Sequence, residues 1–454
     1  MEDAALLSHL MNLIATVGTA IRDSRVRSRL NSLVLGTLCG DSPKTITSIL
    51  NFDAECGNRD NGEDDWSAVY RFFSQSSWEL EEFFSIVFSC GMSFCKEDEP
   101  VKVLIDDTLL RKTGKKVPGA AYARDPLSPP FNTNLVWGQR MICISLLIRA
   151  SPTVPYRSIP IFFMLKPPVR LPKNATDEER KEFKELKKKS NMSIAGREML
   201  EWVRKRLDAM PGGNARRLVV AADGSFANRT FLEKPPHDTT IVARCRDDLN
   251  LRKPIAPDKK IGKRKYGDKV PTPRQINLDA AIPEKELVAG VKHQRATVKY
   301  KMVDEVRWPT VLKDQPCCVL TVKGQYFHRG GKRQHTRPAY LIVTGSYDTA
   351  DIEEILEVYL LRWEIEVGFR DQKNGLGIGK AQVWNKNSVA KVPGFMSACY
   401  SMLLMASLKA FGDKRGEQFT RLPRWRSKTP SRPSLRDLVE LLKREVRCTI
   451  HKAA

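Results

Sequence analysis

Asp348–Gly375, DTADIEEILEVYLLRWEIEVGFRDQKNG, is the stretch on which the reading of this 454-residue chain turns. Asp348 or Thr349 can cap a helix, acids fill its first turn at Asp351, Glu353 and Glu354, and Gly375 can stop it. The segment therefore reads as one long helix. At 100° per residue, Arg362, Glu366 and Lys373 fall at about −60°, −20° and −40° from Tyr359, so all four share one narrow face. That face extends over roughly 21 Å of helix axis. A charged helix face is ordinarily a solvated stripe. Here Trp363, Val367 and Phe369 suggest packing on the adjoining faces, which makes the helix half-buried. One carboxylate among cations at this spacing suits a metal ligand beside a track of phosphates.

The composition narrows the partner. The chain carries 76 Lys and Arg against 53 Asp and Glu, and its net charge of +23 points to a polyanion. At 41% hydrophobic it can bury one large core or two moderate ones, which excludes wholesale disorder. Ten cysteines include no CxxC pair, Cys90 and Cys95 lack a histidine at zinc-ligand spacing, and Cys317 adjoins Cys318. Reduced, mostly buried thiols are expected. The start, MEDAALLSHLMNLIA, has an acidic leader unlike that of a signal peptide, and no apolar run is expected to reach membrane-spanning length. These features predict a soluble, cytoplasmic chain with no membrane partner.

Residues 1–98 read as a helical N-terminal domain, with helices near 3–20, 24–39, 43–50, 65–75 and 78–90. Arg22, Arg25, Arg27 and Arg29 cluster there, so the domain is either DNA-binding, a helical cap on the core, or both. Val101–Ile105 is a β-branched run that stops on Asp106-Asp107-Thr108, a strand presenting acids at its carboxyl end. Buried acids at a strand end need cations or hydrogen bonds, because desolvating them alone is costly. A Gly/Pro-rich loop over 111–136 carries Arg111, Lys112, Lys115 and Lys116, which could hold a phosphate backbone. Strands near 138–149 and 156–165 complete a meander. A charged helix over 174–190 opens with the capping box Thr176/Glu179, and a second helix spans 193–210. Arg217–Ala222 is another apolar strand, and it stops on Asp223. A short helix near 226–233 and a strand at 239–244 follow. Strand, strand, strand, helix, strand, helix, strand is the ribonuclease-H-like plan, with acids at the ends of the first and fourth strands. The expected architecture is α/β, with that core split between 99–249 and 345–412. An all-β insertion is expected over 250–344, with basic loops at Lys263, Arg264 and Lys265 and at Arg329, Lys332, Arg333 and Arg337. An apolar core helix is expected near 390–411. Residues 413–454 read as a basic flexible linker and a closing helix from Ser434.

Tyr359, two residues, Arg362, three residues, Glu366, six residues, Lys373 resembles the signature of a large group of bacterial insertion-sequence transposases. They are the DDE class, in the insertion-sequence family conventionally numbered four and its relatives. The segment Trp66–Phe73 resembles the Tyr-Arg-Phe element of their N-terminal domain, and related transposases carry a β insertion where this chain has 250–344. The resemblance implies a DNA transposase that binds the inverted-repeat ends of its element and target DNA, both double-stranded. It would cleave and transfer strands with Mg²⁺ or Mn²⁺, as a homodimer assembled on DNA, nucleoid-associated in a bacterium. Asp106 or Asp107 would be the first metal ligand, with Asp106 preferred. Asp223 would be the second and Glu366 the third. Tyr359, Arg362 and Lys373 would contact DNA phosphates, joined by Lys112, Lys115, Lys263, Arg264 and Lys265. The alternatives are an inactive DNA-binding relic or regulator, and a ribonuclease-H-fold nuclease or resolvase.

Overall fold

The computed structural model describes residues 5–41, 44–55, 66–125, 128–129, 131–255, 265–289, 296–329, 332–423 and 429–453. Its strands in chain order are β1 (Val101–Arg111), β2 (Ala120–Arg124), β3 (Leu135–Ile148), β4 (Arg157–Leu165), β5 (Leu218–Ala222), β6 (Thr239–Arg244), β7 (Leu251–Arg252), β8 (Lys269–Val270), β9 (Lys285–Ala289), β10 (Ala296–Arg307), β11 (Pro316–Val322), β12 (Tyr326–Arg329), β13 (Lys332–His335) and β14 (Ala339–Gly345). The chain divides into two compact units. One comprises Met1–Lys96, Asp106–Leu186 and Glu364–Ala454, the other Glu97–Ile105 and Lys187–Trp363.

In the second unit the first half of β1 pairs in parallel with β5, and β5 in parallel with β6. Val101, Val103, Leu104, Ile105 and all of Leu218–Ala222 are fully buried. Strands covered on both faces read as continuous apolar runs, which is why these two were legible. Antiparallel β14 pairs with β6, β11 with β14 and β10 with β11, and β9 and β7 flank β10. Strands β9, β10, β11 and β14 lie within a few residues of their expected places. They continue the core sheet through β14, and a helix at Pro273–Leu278, opened by a Thr272/Gln275 capping box, interrupts the all-β pattern. The apolar β6 explains the continuation, since its outer backbone groups need a partner. The helix Met192–Asp208 buries Met199, Leu200, Val203 and Leu207, and the helix Ile352–Leu360 lies against β5 and β6.

In the first unit β3 pairs with β2 through Leu135–Gln139 and with β4 through Met141–Ile148. Strand β1 does not stop at Asp106; it runs on to Arg111 beside β3. The fourteen-residue β3 supplies the partner that carries β1 on to Arg111. Helices Ala5–Gly18, Ile46–Glu55, Trp66–Ser74 and Leu80–Met92 lie near their expected places, whereas the helix expected over 24–39 is split into Ser24–Ser28 and Leu30–Cys39. Phe72, Phe73 and Phe83 surround Phe395 at ring-centroid distances of 5.8, 5.3 and 5.9 Å. Phe395 belongs to Lys386–Phe411, which is long and apolar enough to cross a membrane by length and composition alone, against the sequence expectation. Its apolar window is 89% buried within the fold, and a helix enclosed on all sides must be apolar on all sides.

The basic segment after Gly412, expected to be a flexible linker, is tied into this unit. Arg157 Nε donates to Asp413 at 2.6 Å with both side chains buried, and Arg432 donates to Glu364 at 2.8 Å. Ser434 and Asp437 then form a reciprocal cap on the closing helix Leu435–Ala453.

The opening stretch is not one helix. A 3₁₀ turn at Thr349–Asp351 leads into Ile352–Leu360, the chain tightens at Leu361–Arg362, a helix resumes at Trp363–Arg370, and Asp371–Gly375 widens to a π turn. Leu361 N–H bonds Glu357 in the α pattern, whereas Arg362 N–H bonds Tyr359, one residue nearer. The single narrow face computed for an unbroken helix therefore does not apply across Arg362.

Candidate active site

The parallel register pairs Ile105 with Ala222, and the next residue along each strand is an acid, Asp106 and Asp223. Side chains alternate along a strand, so Asp106 shares a side of β1 with Lys102, and Asp107 points to the other. Lys102 Nζ is 2.9 Å from Glu354, and Arg217, on the matching side of β5, pairs with Glu354 at 3.1 Å and with Asp351. The side of β1 carrying Lys102 is therefore the one on which the helix Ile352–Leu360 packs. These ion pairs also give Asp351 and Glu354 partners beyond the helix dipole that the sequence suggested for them.

Asp223 ends β5 as the cap of a 3₁₀ turn, Gly224–Phe226, and stands half-buried. The Arg362 guanidinium is 3.8 Å from its carboxylate. Burial pushes the Tyr359 hydroxyl up, while the neighbouring Arg362 and Arg244 guanidinium groups pull the other way. Tyr359, Arg362, Arg244 and Asp223 thus form one group. Arg244 was not singled out in the sequence, although it is the cation that ends an apolar strand.

In the first unit Arg140 grips Asp107 with two hydrogen bonds, Nε to Oδ2 at 2.7 Å and Nη2 to Oδ1 at 3.0 Å. These bonds push the Arg140 guanidinium up. A bidentate guanidinium occupies both oxygens of its carboxylate and neutralises it. Asp106 instead accepts the Asp107 backbone N–H at 2.8 Å through one oxygen. Arg140 was legible only as an isolated cation in an otherwise apolar strand. Glu366 is half-buried on Trp363–Arg370, between buried Ile365 and buried Phe369, while Trp363 is exposed. Lys373 sits in the π turn. Burial lowers its ammonium, Arg111 adds to that, and Asp107 opposes it.

Of the other cations expected to meet DNA, Lys112 donates to the Gly379 carbonyl at 2.7 Å, and burial brings its ammonium down to about 8. It serves the fold at least as much as any ligand. Lys115 and Lys265 are exposed, and Lys263 and Arg264 lie outside the described residues. Arg22, Arg25 and Arg29 line a cleft of about 730 Å³ together with Arg71.

The chain belongs to the DDE superfamily endonuclease family, whose model matches residues 37–308, more than half of its length. No curated protein matches it. Membership implies an endonuclease- or transposase-type enzyme with DNA as its substrate, and enzymes of this superfamily generally use divalent metal ions. Among the described residues, no group of three or more His, Cys, Asp or Glu side chains is gathered at metal-binding spacing. The donor chemistry nevertheless fits. Carboxylate oxygens are the ligands of hard cations such as Mg²⁺, which is often held by only one or two carboxylates with substrate phosphate and water completing its shell.

Proposed function

We propose that this protein is a transposase of the insertion-sequence type that cleaves and joins transposon-end DNA at a site built from Asp106, Asp223 and Glu366. The observation that carries the proposal is the parallel register Ile105–Ala222, which places an acid next along each of two adjacent strands. The parallel β1, β5 and β6 with antiparallel β3 and β4 support a ribonuclease-H-like core for it. Asp106 is favoured over Asp107 because it directly closes the apolar run Val101–Ile105, whereas both oxygens of Asp107 are taken by hydrogen bonds from Arg140.

Divalent ions held by the three carboxylates would supply an activated water or 3′-hydroxyl and a stabilised leaving oxygen, with no protein nucleophile needed. The protein's own part is positioning. Arg362 and Lys373 would take phosphates, and Arg362 at 3.8 Å from Asp223 would hold that carboxylate in place before DNA arrives. The half-buried Tyr359 phenol stays protonated, since burial raises it, and so offers a phosphate a hydrogen bond rather than a repelling charge. A homodimer on paired ends, with Lys115 and Lys265 on the flanking DNA, completes the reading.

The test uses DNA carrying the repeats that flank the gene. Asp223→Asn and Glu366→Gln should bind that DNA as the parent does, yet neither nick it nor join it to a target with Mg²⁺ present. Nicking at the parental rate by either variant refutes the assignment. Nicking without joining by the parent would mark a nuclease or resolvase instead.

A further inference from the structure

In the first unit, three aromatic rings lie in a row where the sheet ends. Strand β2 is last in the strand order, and its Tyr122 stands opposite Trp137 of β3, the two rings meeting edge to face at 5.1 Å. Trp137 Nε1 donates to the Gly114 carbonyl at 2.9 Å. Trp384 lies against the same glycine: a Cβ there would stand 2.4 Å from its ring, so the indole rests directly on that backbone. Tyr122 is 67% exposed and Trp384 58%. Single exposed apolar residues are commonplace, whereas contiguous ones mark a contact surface.

The surroundings of these rings are basic. Residues 111–137 carry five cations against one acid, Asp125, which Arg111 already holds at 2.8 Å. Lys115 and Lys116 follow Gly114 directly and are exposed. Arg124, also exposed, is two residues beyond Tyr122 and so on the same face of β2. None of these three has an ion-pair partner among the described residues. The Arg170 guanidinium adds a further cation, 5.8 Å from the Trp137 ring. The loop that presents the lysines is pinned at both ends, by Lys112 donating to the Gly379 carbonyl and by Gln139 donating to the Pro118 carbonyl at 2.8 Å. A ligand therefore meets a surface that needs little further ordering.

We propose that this surface binds an unpaired stretch of DNA strand, with bases stacked on Tyr122 and Trp384 and phosphates on Lys116 and Arg124. Open rings interleaved with cations are the combination that holds single strands, because every base has a face to stack and every linkage a charge. In a duplex those faces are stacked on one another and closed to a side chain. The excess of cations disfavours an apolar or basic protein partner, and the family implies a DNA substrate. Arg111 joins the surface to the candidate site, since its charge also bears on Lys373. The strand is then the one freed beside a nick, and in that role the inference rests on the reading of the chain as a DNA-cleaving transposase.

The test is binding of a fluorescent oligothymidylate of about 12 nucleotides to the full chain in EDTA, where no metal-dependent cleavage occurs. Tyr122→Ala and Trp384→Ala should each weaken it at least about fivefold, while Tyr122→Phe and Trp384→Phe, which keep a ring, should stay within about twofold of the parent. Neither alanine change should alter binding of a duplex of the same length. Lys116→Gln and Arg124→Gln should each lower the slope of log affinity against log salt by about 0.7, one single-strand phosphate contact apiece. As a check on the unaltered protein, a strand carrying iodouracil should crosslink on irradiation to Tyr122 or Trp384. Crosslinks confined to other residues overturn the proposal, as do alanine variants that bind the strand like the parent or lose duplex binding equally. Dimerisation of the DNA-free parent that Trp384→Ala abolishes would make a second copy the occupant and overturn it too. Strand binding indifferent to the rings, in a parent that cleaves end DNA, removes this surface alone. Ring-dependent strand binding by a parent that cleaves no end DNA removes the cleavage reading alone.

Discussion

Exchanging the two adjacent acids of β1 should separate structure from chemistry. In Asp107→Asn the residue keeps its shape but loses the charge held by Arg140, at 2.7 and 3.0 Å. Hydrogen bonds to charged groups contribute about 1.5–3 kcal/mol when shielded from water. Here the Arg140 side chain is 48% exposed and the Asp107 side chain 16%, so solvent screening brings the expected loss down to about 1–2 kcal/mol. Arg140→Gln should cost a similar amount. The double variant should show a coupling energy of about 1 kcal/mol in a denaturant double-mutant cycle, because each single change removes the same contact. Both singles should still nick end DNA with Mg²⁺, more slowly than the parent. Asp106→Asn should unfold at nearly the parental denaturant concentration and nick nothing. An inert Asp107→Asn beside a cleaving Asp106→Asn, or a coupling between Arg140 and Asp107 indistinguishable from zero, would refute these assignments.

Other consequences follow from single contacts. Asp413→Asn should destabilise the first unit by about 3–5 kcal/mol, because it leaves the buried Arg157 guanidinium without its counter-charge; replacing both by leucine should recover much of that, read from the denaturant midpoint. Arg362→Ala and Lys373→Ala should each lower the slope of log affinity against log salt by about 0.9, one duplex phosphate contact apiece, in an end-binding titration. An unchanged slope in both would remove these cations from the DNA track. Burial brings the Lys44 and Lys112 ammonium groups down to about 8, below their ordinary 10.5. The unfolded chain then binds more protons than the folded one between those values, so stability should rise as pH rises from 8 towards 10.5. Lys44→Met with Lys112→Met should flatten that rise, and a parental pH profile in the double variant would contradict it.

How much of this was legible depended on whether the cause was local. Val101–Ile105 and Leu218–Ala222 were readable as central strands because burial on both faces leaves an unbroken apolar run, and each runs into an acid. The capping box at Thr176 and Glu179 spans four residues and fell where expected. The break at Leu361–Arg362 could not be read, since Leu360-Leu361-Arg362 contains neither Gly nor Pro and its helix propensity is good. The continuation of β1 past Asp106 depends on β3, and the hold on Asp107 comes from Arg140, 33 residues away. The anchoring of the basic tail depends on Arg157 and Asp413, 256 residues apart. Such pairings leave no periodic trace, and composition alone made that tail look like a linker.

In the proposed site Asp106, Asp223 and Glu366 hold the same divalent ions. Mn²⁺ binding to the parent and to Asp106→Asn, Asp223→Asn and Glu366→Gln, followed by electron paramagnetic resonance in the presence of end DNA, tests it without reference to activity. Each substitution should weaken Mn²⁺ binding at least tenfold at a site the parent fills, while Asp107→Asn binds as the parent does. Parental Mn²⁺ affinity in any of the three carboxylate variants would contradict that shared site.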